Sequence, residues 1–377
     1  MKEKKELGEI GRREERREGR EKRRILMVMM VVMMVIGCNS GGGSGEGKVN
    51  LEAKNSFLES LVKIGEGFQE IFGVFGSAIG DVLGFNVVKS GDTRNKIGEH
   101  FEKIGNGLTK TDKKLKELAG RIYEAKNADV ITIEAVKGVV KGVNDVFEQL
   151  ISALIKLADV TKDGNPIGDN VAGAAVAAEE AGVRTIIDNI KEIIEVAKKS
   201  GINVDAGIAG VTVIAAANGA TDVLGGNNGA GAGQGAGPKL ANEVSKADAW
   251  AMIDKIKNAT TVGFVAGNDN NAGQLVIGGA NANGAKAATN ADLAAAVALK
   301  AMTKSGKFSA NAADDGAVKA AAVSAVNKVL GVLDVIIRRT VVSNLNKVRE
   351  AVKGIKYSES SVTEASQSDT AQTTNKQ

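Results

Sequence analysis

The chain is poor in the residues that build most small sites. It has one Cys and one His in 377 residues, so an intramolecular disulfide framework, a zinc finger and a Cys/His metal site are excluded. Two Pro and 12 aromatics (one Trp, two Tyr, nine Phe) argue against a β-sandwich. What is abundant is Gly, at 47, and an apolar fraction of 43%, enough for a buried core. That balance favours packed helices joined by small-residue loops.

The net charge of +4 is a property of the N-terminus. Residues 1–37 hold 11 Lys/Arg and 7 Glu; taking these from 49 and 45 leaves 38 of each sign. A nucleic-acid binder needs a basic face, and no surplus survives for one. The basic stretch ends at Arg23-Arg24, followed by twelve apolar residues, Ile25 to Ile36. A bilayer span takes about 20, so this is a signal-peptide core. The preceding n-region is long and interleaved with Glu, which marks residues 1–20 as an upstream extension of the start.

The run closes on Val35-Ile36-Gly37-Cys38, then Asn39-Ser40-Gly41-Gly42-Gly43-Ser44. Aliphatic, aliphatic, Gly, Cys is the pattern of a bacterial lipobox. Gly37 is small enough for a peptidase pocket. The Cys38 thiol can take a diacylglycerol as a thioether, and cleavage frees its amine for a further acyl chain. Several acyl chains anchor a protein stably where one does not. The Gly/Ser residues 38–50 form a flexible tether.

From 51 to 356 the apolar residues step by three and four, the helical period. Stripes run over 51–85 (Phe57, Leu61, Ile64, Phe68, Ile71, Phe75), 93–126, 131–159 and about 171–199. Gly76, Gly80 and Gly84 repeat at four; tight packing inside one subunit is the plainer reading, and a homodimer seam the alternative. Two stretches read as loop-rich, 201–238 and 263–288, because Gly, Ala and Asn cannot bury enough apolar area to offset their ordering. Between them Glu243–Lys257 reads as one short helix, and 207–217 as either helix or buried strand. Asn290 can cap a helix over 291–304. The longest element runs from near Asp314 to Lys353, and 357–377 is a Ser/Thr/Gln-rich tail read as disordered.

Signs of catalysis are missing. No Gly-x-x-x-x-Gly-Lys-Ser/Thr occurs, and Gly-x-Gly-x-x-Gly fails from Gly229 and Gly231. His100 stands alone and reads as solvated or partly packed. Glu179-Glu180 and Asp314-Asp315 are adjacent on helices and read as solvated turns and helix starts. No catalytic, cofactor-binding or metal-ligating residue is assigned, nor a small-molecule substrate. Lys110, Lys113, Lys114 and Lys116 could bind a host macromolecule, against the plainer reading of a solvated helix face.

Five segments carry a family likeness: the core ending Val35-Ile36-Gly37-Cys38; Asn55 to Phe85; Val244 to Ile253; Asp292 to Phe308, the most specific; and Val326 to Tyr357. The chain resembles the variable large proteins of Borrelia, similar to the VlsE lipoprotein. The resemblance implies an elongated all-α bundle with long N- and C-terminal helices and both ends near the membrane. It implies a lipid-anchored outer-membrane antigen facing the exterior, met by host antibodies and evading them through gene switching. An adhesin and a periplasmic scaffold are the competing readings.

Overall fold

The structure, a computed structural model, describes residues 50–79, 86–225, 230–265, 267–278 and 285–358. Val35, Ile36, Gly37, Cys38 and the tether as far as residue 49 lie outside them, as do Gly80, Gly84 and 359–377. The helices described below belong to one compact unit that begins at Leu51.

The frame is helical. Helix α1 spans Leu51–Ile79, α2 Asn95–Tyr123, α3 Val130–Thr161 and α4 Glu180–Lys199. Each packs on its sequence neighbour, and the last helix, Asp315–Lys353, lies against α3 and α4. The apolar stripes face one another: Ile97, Phe101, Ile104 and Leu108 of α2 meet the core with Phe147, Leu150 and Leu154 of α3. Asp129 caps α3, its side chain accepting from Thr132 N at 2.9 Å.

Between α4 and the last helix lie short helices: α5 Asp222–Gly225, α6 Ala236–Lys246, α7 Ala249–Lys257, α8 Ala272–Ile277 and α9 Asn290–Met302. Every residue of α9 is buried. A helix apolar all round belongs at the centre of a core, and α9 packs on α6, α7, α8 and the last helix, α10. Most of the segment 292–308 that carries the specific likeness therefore lies inside the molecule, with Lys304 and Ser305 exposed. Helix α10 has 39 residues, about 58 Å at 1.5 Å per residue. An 18-residue stretch of it has mean hydropathy 1.8, apolar enough to cross a membrane. Its Val326, Leu330, Leu333, Ile337 and Val341 are instead spent on the core.

Several boundaries differ from the sequence reading, each for a tertiary reason. The fourth helix begins at Glu180, not 171, because 170–178 pairs with another segment. Strand β1 (Asn170–Val171) lies parallel to β4 (Phe308–Ser309), and Val176 bridges Lys307. The 243–257 helix is two helices. Asp248 leaves the helical conformation and caps α7 through Trp250 N at 2.8 Å. The loop-rich stretches contain buried helical turns, α5 and α8; α8 is closed by a capping box of Asn271 and Gln274. The cap of α9 is Thr289, accepting from Asp292 N at 3.1 Å, while Asn290 donates to Glu243.

Candidate functional surface and its buried anchors

Residues 202–217 are neither helix nor buried strand. Apart from a single bridge at Val213 and a turn at 217 the segment has no regular structure, and Ile208, Val211 and Ile214 are 78%, 79% and 65% exposed. Its backbone is tied down on one side. Val213 exchanges both hydrogen bonds with Ala287, at 3.1 and 3.0 Å, while Asn290 N donates to Val211 O and Ala291 N to Ala209 O. Asp248 accepts from Ile208 N at 3.0 Å, and these backbone donors hold its carboxyl below the usual range although burial opposes them. Gly207 has φ +63°, and a Cβ there would meet Ala251 N at 2.5 Å, so a side chain is excluded.

Strand β3 (Lys286–Ala287), parallel to β2 (Asp269–Asn270), extends this patch. The Asn270 side chain is buried and hydrogen-bonded to its own loop, Nδ2 donating to Val265 O at 3.0 Å and Asn268 O at 2.7 Å. Val262 and Val265 stand out at 62% and 49%. The stretch 230–238 is held by Asp314, whose Oδ2 accepts from Gly235 N at 2.7 Å and Gly237 N at 3.1 Å. Asp314 is thus a buried cap for the start of α6, not a solvated turn. Asp315, beside it, takes Asn170 Nδ2 at 2.9 Å and pairs with Lys319, which holds its carboxyl low. Glu180 does behave as a helix-start acid, bound by Thr261 and Arg184.

Other charges are buried under the frame. Arg94, at the start of α2, is fully buried; Nη1 donates to Asp163 Oδ2 at 2.9 Å, Nε to Ala301 O at 3.0 Å and Nη2 to Gly306 O at 2.8 Å. It closes the C-terminal end of α9, where unpaired carbonyls attract a cation. Asp163 is net lowered, because bonds from Asn165 and the charge of Arg94 outweigh its burial. Lys300 is also fully buried, Nζ donating to Val176 O at 2.7 Å. Desolvation, helped by the nearby Arg94 charge, pushes its amine down to about 7. Lys328 donates to Val244 O, Ser245 O and Ala247 O, closing the end of α6.

His100 is not solvated. It is 4% exposed, and its Nε2 lies within hydrogen-bond distance, 3.0 Å, of Asp334 Oδ1. The pair joins α2 to α10. Lys114 pairs with Glu117 at 2.8 Å and Lys116 with Asp112 at 2.8 Å and Glu148 at 3.1 Å, so half of the Lys cluster is neutralised locally. Gly76 faces open space, which removes tight packing within the subunit as its explanation. Among the described residues, no group of His, Cys, Asp and Glu gathers to hold a metal ion.

A family model described as Borrelia lipoprotein matches residues 68–352. The chain belongs to this Borrelia lipoprotein family. It is 60% identical over 336 residues to Variable large protein 14 of Borrelia hermsii, covering 87% of this chain and 93% of that protein. It is 54% identical over 328 residues to Variable large protein 12 of the same organism, covering 86% and 90%. It matches the crystal structure of the Lyme disease variable surface antigen VlsE of Borrelia burgdorferi with a TM-score of 0.64 and 28% identity, covering 79% of this chain and 99% of that one. The likeness read from the sequence therefore holds, and with it the all-α bundle. Helix α9 is an element on which the exposed segment 202–217 is hung, through Asn290 N and Ala291 N.

Proposed function

We propose that this chain is a lipid-anchored outer-surface antigen of a spirochaete, variably expressed so that gene switching evades host antibodies. The observation that carries the reading is a division of labour within the fold. The frame helices each bury one face and α9 is buried throughout, while 202–217 hangs on α9 and the adjoining strand β3 by backbone bonds and presents mostly uncharged side chains to water. Backbone ties tolerate side-chain change, so the surface can vary without loss of the core. Cys38 supplies the anchor, acylated on both sulfur and amine. The described ends of the chain meet: Phe57 stacks edge-on against Tyr357, and Asp129 N donates to Lys356 O. Gly235 and Gly237, held at Asp314, lie about 58 Å along α10 from that end.

The test is to sequence the expressed copy of this locus from bacteria recovered at intervals from one infected host. Replacement of the whole protein, or change within 201–238 and 263–288 while 292–308 persists, is expected. Persistence of one sequence through an antibody response would sink the reading.

A further inference from the structure

We propose that the end of the bundle where the chain enters rests on the lipid bilayer through an aliphatic ridge of Leu51, Val130 and Ile131. The proposal rests on the reading of Cys38 as the lipid-bearing residue. Large aliphatic side chains scattered on a surface are ordinary. These three are 71%, 70% and 79% exposed and lie at the same end. Asn127 Nδ2 donates to Ala53 O at 3.1 Å, which sets the first turn of α1 beside the loop that leads into α3.

Direction matters as much as exposure. Leu51 opens α1, and Val130 and Ile131 open α3. In a helix every Cα–Cβ bond tilts toward the N-terminus. Side chains in the first turns of α1 and α3 therefore lean out of the bundle, toward the side from which the chain arrives. Tyr123 closes α2 at the same end, 41% exposed, with Lys137 Nζ 5.0 Å from its ring centre. An aromatic ring next to a lysine suits the boundary between headgroups and acyl chains.

The length of chain ahead of the ridge points to a bilayer as its occupant. Twelve residues, Asn39–Asn50, separate Cys38 from Leu51, and they are rich in Gly and Ser. Twelve residues span at most roughly 45 Å at full stretch. The leaflet that holds the acyl chains is thus within reach of the ridge. The exposed charges at this end are of both signs, Lys126 and Lys356 with Glu52 and Glu124. The contact is therefore aliphatic rather than electrostatic and does not need anionic lipid.

The experiment uses the mature chain that begins at the acylated Cys38, in phosphatidylcholine vesicles. Acylation consumes the chain's single native thiol, so an introduced cysteine takes a nitroxide label alone. Labels go at Val130→Cys, Ile131→Cys and, farther along the same helix, Ile155→Cys, where the native side chain is 52% exposed. Each is read by collision with oxygen, which concentrates in lipid, and with a water-soluble nickel chelate. The ratio of oxygen to nickel access is expected to be several-fold higher at 130 and 131 than at 155, at low and high salt alike. Equal ratios on a vesicle-bound, acylated chain would overturn the ridge and leave the anchor standing. Spin–spin broadening at 131 would assign the ridge to a second copy of the chain and also overturn it. Mass spectrometry that finds no acyl group on Cys38 would overturn the anchor and the ridge together.

Discussion

Lys300 is the one basic residue of the buried helix α9, and its burial makes stability depend on pH. Its folded value, about 7, lies below the ordinary 10.5 that the unfolded chain keeps. Between these values the unfolded state binds more protons, so this group makes stability rise with pH from about 7 to 10.5 and adds no slope below 7. At its steepest the effect is roughly 1.4 kcal/mol per pH unit. Lys300→Met is expected to raise the urea midpoint at neutral pH and to flatten that slope. A slope unchanged in the variant would show that another group carries it. Arg94 behaves in the opposite way, because its bonds to Asp163, Ala301 and Gly306 are made by one planar fork. Arg94→Met leaves a carboxylate and two carbonyls without it and is expected to cost roughly 3 kcal/mol in denaturant unfolding. Arg94→Lys is expected to recover less than half of that loss.

At the scale of elements, the frame and the hung segments should answer mutation differently. Ile208→Thr, Val211→Thr and Ile214→Thr replace exposed side chains whose backbones do the holding. Each is expected to shift unfolding by less than about 0.5 kcal/mol. Leu293→Ala, inside the fully buried α9, is expected to cost about 2–5 kcal/mol. Comparable costs at both places, measured by chemical denaturation, would contradict the division of labour. Asp248→Ala removes two bonds at once, the cap of α7 and the tie to Ile208 N. It is expected to lose about 1 kcal/mol and to speed amide exchange across 205–213 while exchange in α3 stays unchanged. Helix periodicity was legible for the long frame elements because each buries a single face. It failed at 247–248, where Ala247 continues the apolar step but a capping carboxylate one residue later ends the run. It failed also at 171–178, whose backbone hydrogen bonds go to Lys307, Ala310, Gly225 and Val276 rather than along a helix.

At the scale of the molecule, the two described ends of the chain close on each other. Tyr357 meets Phe57 at 5.7 Å, Ala128 bridges Tyr357, and Ser358 N donates to Asn127 O. Residue 357 therefore belongs to the fold, although composition places it with the tail. Tyr357→Ala is expected to loosen the first two turns of α1, seen as faster amide exchange over 51–58, with little change in the α9 core. Protection equal to the wild type would show that the C-terminal residues add nothing there.

The sequence by itself determined the class of this protein. Long three/four stripes, a Gly/Ala/Asn-rich middle and the aliphatic-aliphatic-Gly-Cys order at 35–38 are local patterns, and local patterns survive in a linear text. The family likeness was legible for the same reason, since 292–308 is a contiguous run. What only the tertiary structure decided are pairings between distant residues. Lys300 meets Val176 across 124 positions, His100 meets Asp334 across 234, and Asn327 meets Val88 across 239. A buried charge or amide is settled by the partner that satisfies it. No spacing along the chain encodes that partner, because it is supplied by an element folded against it.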